Sequence, residues 1–100
     1  MDVEALRGRL EQVADPGRAP QMAAYMRDRF PFLGIQSKER RSAARPTMAE
    51  ARAAPSRRLF GFAAGCWEQS EREFQYVACD VLGANAARLE THHLARLQAL

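Results

Sequence analysis

Cysteine is scarce, two in 100 residues, which excludes a disulfide-rich scaffold. No apolar run approaches the roughly 18 residues that a transmembrane helix needs, so no membrane partner is expected. The opening Met1-Asp2-Val3-Glu4 lacks the basic stretch and apolar core of a secretory signal, and a cytoplasmic chain is the expectation that remains. Glycine-rich phosphate loops are missing. So is the G-x-S-x-G elbow of serine hydrolases; Ser37, Ser42, Ser56 and Ser70 instead fit caps or polar faces. Cys66, Cys79, His92 and His93 are the soft-ligand candidates, but their C-x12-C-x12-H-H spacing matches no zinc pattern built on ligand pairs about two to four apart. No metal and no cofactor are expected. Both cysteines read as small apolar residues on the buried faces of consecutive helices.

Alternating strand patterns are absent as well, and what is present is helical. Val3, Leu6, Leu10 and Val13 form an amphipathic stripe over 2–14, stopped by Asp15-Pro16-Gly17. Met22, Met26 and Phe30 recur every four residues over 19–30, and Pro31 is expected to end that helix. Ser37 is the expected N-cap of a helix through Arg45. Pro46 opens and Pro55 closes a further short piece. Ser56 is expected to cap 57–69, with Leu59, Phe62 and Cys66 on one face and Trp67 as a core anchor at its end. Segment 71–83 places Phe74, Val77 and Val81 inward, with Gly83 as its stop. Thr91 would cap a last helix carrying Leu94, Leu97 and Leu100. The prediction is an all-α chain of about six or seven helices in antiparallel pairs, a bundle or a short α-solenoid. The leucine edge of the last helix ends without a polar cap, so either it meets another subunit, as in self-association, or the natural protein continues past Leu100.

The formal net charge of +3 is unevenly spread. From Arg27 to Arg58 nine basic residues face three acids, a local +6. Fourteen of the fifteen cations are Arg, whose planar fork suits phosphate oxygens. A solvated basic face and a surface for an anionic partner are both compatible with this pattern. Asp80, inside the apolar stretch Val77 to Leu82, is either a catalytic carboxylate or the partner of an Arg such as Arg72 or Arg58. Buried charges are usually paired, which favours the second. Tyr25 and Gln36 flank the basic segment and could present polar groups to a groove.

Two longer stretches carry more information. Ala24-Tyr25-Met26-Arg27-Asp28-Arg29-Phe30-Pro31-Phe32-Leu33-Gly34-Ile35-Gln36, continuing to Glu39-Arg40-Arg41, resembles the N-terminal signature of the AlkD-like DNA alkylation repair family. Leu59 to Leu82, with Cys66-Trp67-Glu68 and Arg72-Glu73-Phe74-Gln75-Tyr76-Val77-Ala78, resembles the helical pair that follows. The resemblance implies a curved solenoid of HEAT-like repeats whose positive concave face holds duplex DNA. Family members release N3- and N7-alkylated purines, cationic leaving groups whose departure needs mainly stabilisation of oxocarbenium character and a positioned water. Under this resemblance Tyr25 and Gln36 line the DNA-facing cleft. Arg27, Arg40 and Arg41, with Lys38 and Arg45 in the same basic segment, would contact phosphates. The family's Trp-Trp-Asp catalytic motif is not in this sequence, which holds one Trp; it is expected beyond Leu100. Residues 1–100 are thus expected to be a single N-terminal helical-repeat segment of a larger domain, with no catalytic residues and no activity alone. The alternative is a non-catalytic module for DNA or protein binding.

Overall fold

A computed structural model describes residues 1–89 of the chain. Among these residues every regular element is helical: α1 (Val3–Gln12), α2 (Ala19–Tyr25), α3 (Ser37–Ala43), α4 (Arg45–Ala53), α5 (Ser56–Trp67) and α6 (Arg72–Ala84). Helical residues resume at 86–89. The expected all-α architecture is what forms, elongated at 49 × 27 × 20 Å. The last helix expected from the sequence, with Thr91, His92, His93, Leu94, Leu97 and Leu100, falls outside the described residues.

The α5–α6 hairpin is the most extensively packed pair. Leu59, Phe62 and Cys66 of α5 meet Phe74, Val77, Ala78 and Val81 of α6, all buried, at the three- and four-residue spacings that put them on one stripe of each helix. Each large side chain so buried contributes about 1.5–3 kcal/mol. Gln75 closes the turn by donating from Nε2 to the carbonyl of Gln69 (3.0 Å). Leu6 and Leu10 bring α1 onto this hairpin. Arg7, on the same helix, clamps the turn: its guanidinium donates to both carboxylate oxygens of Glu71 (3.0 and 2.9 Å) and to Gln69 Oε1 (2.8 Å) while lying 4.4 Å from the Phe74 ring centroid. Hydrogen bonding to Arg7 holds the Glu71 carboxyl below the usual range, and the same bond raises the Arg7 pKa.

Several boundaries depart from expectation for local reasons. α2 ends at Tyr25, not at residue 30. The Asp28 N–H returns to the Ala23 carbonyl (2.8 Å) and the Arg27 N–H to that of Ala24 (2.9 Å), the paired bonds of a Schellman stop. The helix is therefore closed five residues before Pro31 can act. Ser37 and Ser56 are the first helical residues rather than caps; Gln36 and Pro55 hold the cap positions in extended backbone. Gly83 sits inside α6, which ends at Ala84, where the Asn85 amide donates to the Val81 carbonyl (2.8 Å). Trp67 is 56% exposed rather than a core anchor; with Ala63, Ala64, Ala78 and Leu82 it lines a shallow apolar groove of about 450 Å³. Cys79 is exposed, whereas Cys66 is buried as expected. Pro46, in the first turn of α4, does start a helix of its own.

Candidate functional site

The site is organised by the loop between α2 and α3. Gly34 takes φ +86°, a conformation glycine adopts without steric penalty. Space demands glycine too, since a Cβ there would lie 2.0 Å from the Asp15 carbonyl oxygen. The loop is tied on two sides. Asp15 N–H donates to the Leu33 carbonyl (3.0 Å), and the Asp15 carbonyl in turn accepts from Arg18 and Ala19 (3.0 Å each), which fixes the start of α2. On the other side Arg72 N–H donates to the Pro31 carbonyl (2.9 Å). Glu73, fully buried, accepts three consecutive backbone N–H groups, from Leu33 (2.9 Å), Gly34 (3.0 Å) and Ile35 (3.2 Å).

This wiring opens a cleft of about 540 Å³ between α2, the loop, α3 and α6. Tyr25 and Arg18 stand on the α2 side, Gln36 and Ser37 at the start of α3, and Arg40 and Tyr76 on the remaining walls. Tyr25 is 89% exposed, and neither its hydroxyl nor the Gln36 amide is hydrogen-bonded to any described residue. Arg40 differs from the other cations of the basic segment. It is 8% exposed, its Nη2 lies 3.4 Å from Asp80 Oδ2, and its guanidinium sits 5.1 Å from the Tyr76 ring centroid. Its buried Nε has no hydrogen-bond partner among the described residues. The Arg72 guanidinium lies 4.2 Å from the Phe30 ring centroid and 5.6 Å from that of Tyr76. Tyr76 is thus flanked by two guanidinium groups, each attracted to its π system.

Of the residues singled out from sequence, Tyr25, Gln36 and Arg40 converge on this cleft. Arg27 lies on a smaller concavity beyond Tyr25, shared with Arg29 and Phe30. Lys38, Arg41 and Arg45 are exposed but line no wall of the cleft. Asp80 is a paired carboxylate, as burial rules favoured, but its partner is Arg40 rather than Arg72 or Arg58. Arg18, Tyr76 and Glu73 escaped the sequence reading. Only a glycine between two apolar residues, Leu33-Gly34-Ile35, hinted that a loop here needs backbone contacts from elsewhere. No cluster of metal-ligating side chains occurs among the described residues, and burial pushes the Cys66 thiol up to about 12. Among the described residues no helix is long and apolar enough to cross a membrane.

The model of the DNA alkylation repair enzyme family matches residues 6–100. The chain belongs to that family. It is also similar to the solved structure of a predicted DNA alkylation repair enzyme from Enterococcus faecalis, at 30% identity and a TM-score of 0.76. That match covers 86% of this chain and 40% of the other, so this chain spans under half the length of its structural neighbour. No curated protein matches it. The helical fold of this DNA alkylation repair family member is therefore shared with its neighbour.

Proposed function

We propose that residues 1–100 provide the duplex-DNA-binding part of a glycosylase that removes N3- and N7-alkylated purines, and that excision requires a Trp-Trp-Asp motif this sequence does not contain. The observation that carries the reading is the convergence of Tyr25, Gln36 and Arg40 on one open cleft. The Tyr25 hydroxyl and the Gln36 side-chain amide are not hydrogen-bonded to any described residue, and the cleft borders a segment with a net +6 charge. Cations around the cleft would neutralise phosphates and fix the register of the strand. The exposed phenol and amide would meet sugar or base edges. Buried Arg40, held by half-buried Asp80, would support the wall of the cleft, while Arg27, Lys38, Arg41 and Arg45 would supply the outer charge.

Fluorescence anisotropy with a labelled duplex across a salt series tests the binding claim. The logarithm of the affinity should fall linearly with that of salt, with a slope near −0.9 for each phosphate neutralised. Tyr25→Ala and Gln36→Ala should weaken binding while leaving that slope in place. Absence of binding at low salt refutes the reading. The same chain should not accelerate release of N7-methylguanine from the duplex; measurable excision would overturn the claim that the Trp-Trp-Asp motif is required.

A further inference from the structure

Glu73 is a fully buried carboxylate with no cation within ion-pairing distance among the described residues. Removing such a charge from water is expensive, and an apolar side chain of similar volume would hold α6 to the loop at less expense. What an apolar group cannot do is orient peptide planes. Glu73 orients three in succession, those carrying the N–H groups of Leu33, Gly34 and Ile35. The next residue is Gln36, whose carbonyl accepts the Arg40 N–H (2.9 Å) and so begins α3. One helical turn along α6 from Glu73 stands Tyr76 on the cleft wall. Through the Leu33 carbonyl and Asp15 the same loop also sets the start of α2, the helix that ends in Tyr25. Three walls of the cleft are thus referenced to one carboxylate that does not itself line it.

We propose that Glu73 is a positioning residue for DNA recognition, holding Gln36 in register with Tyr25 and Tyr76 through its three backbone hydrogen bonds. The proposal rests on the reading of this cleft as a DNA-binding surface. Glu73→Gln keeps the shape but replaces one acceptor oxygen with an amide NH₂ that faces N–H donors. The loop must then shift, and Gln36 with it.

A double-mutant cycle on duplex affinity provides the test, run on the full chain below its melting temperature with folding confirmed by circular dichroism. Gln36→Ala and Glu73→Gln should each weaken binding about tenfold, and the double variant should be no weaker than the worse single one. The salt slope should stay unchanged in Glu73→Gln, because every cation is retained. If the two losses add in full, or if Glu73→Gln lowers the melting temperature without touching affinity, Glu73 is merely structural and the proposal falls. Should Glu73→Gln fail to fold, Glu73→Asp, which keeps the charge but shortens its reach, enters the same cycle and is read in the same way. A wild-type chain that does not bind duplex DNA overturns the functional reading together with this proposal. Wild-type binding with additive losses overturns this proposal alone.

Discussion

Gly34→Ala should be the most damaging single-methyl change at the cleft. The left-handed conformation at φ +86° costs a non-glycine residue about 1–2 kcal/mol. Sterics add more. The new Cβ would stand 2.0 Å from the Asp15 carbonyl oxygen and 2.9 Å from the Ala19 nitrogen, so backbone rather than a flexible side-chain tip must move. That movement pulls Gly34 N–H and its neighbours away from Glu73, and a hydrogen bond to a charged group contributes about 1.5–3 kcal/mol. Loss of one or two such bonds brings the total to about 3–8 kcal/mol. A domain of this size has about 5–15 kcal/mol of stability. At about 4–8 °C per kcal/mol, the melting temperature should drop by at least about 12 °C, or the chain should fail to fold. Gly61→Ala is the control: its Cβ would meet nothing within 4 Å inside α5, so better helix propensity should raise stability by about 0.5–1 kcal/mol. Thermal melts followed by far-ultraviolet circular dichroism read both. A Gly34→Ala variant melting within about 5 °C of wild type would refute the reasoning, because no combination of these terms is that small.

Arg27 occupies the residue after the α2 cap with φ +57°, where glycine is usual. Arg27→Gly should raise stability by about 1 kcal/mol yet weaken duplex binding, with a salt slope shallower by about 0.9; an unchanged slope would remove Arg27 from the interface. The Arg7–Glu71 pair should make the protein acid-labile. The folded-state pKa of Glu71 lies below its ordinary value of 4.5, so its contribution is full above that value and is lost as pH falls through the folded-state pKa. Urea unfolding carried from neutral pH into the acid range should show this loss, and Arg7→Met should flatten it. In the thiols, iodoacetamide should label exposed Cys79 in the native protein. Cys66, buried and pushed up to about 12, should react only after denaturation, and equal native rates would contradict its placement.

Much of this molecule is written in its apolar spacing. Leu6 and Leu10, Leu59, Phe62 and Cys66, and Phe74, Val77 and Val81 all face inward as their three- and four-residue intervals require, because a helix that buries one stripe leaves a periodic trace in the sequence. Tyr25 and Gln36 were legible through family resemblance, as conspicuous polar residues beside a basic segment. Helix ends were less so: whether α2 stops at Tyr25 or at residue 30 depends on backbone hydrogen bonds that Arg27 and Asp28 make by entering a conformation their residue types rarely favour. Exposure was equally illegible for Trp67 and Cys79, since which edge of a helix is covered depends on neighbours that periodicity does not name.

The composition and the 3.6-residue rhythm by themselves determined an all-helical chain with its positive charge gathered in the middle third. Only the tertiary structure decided that Arg40 pairs with Asp80, that Tyr76 joins Tyr25 and Gln36 at one cleft, and that Glu73 holds the Leu33–Ile35 backbone in place. Each of these joins residues some 40 or more positions apart, or a side chain to backbone groups of another element. Local periodicity records which way a side chain faces, and long-range hydrogen bonds record what it finds there.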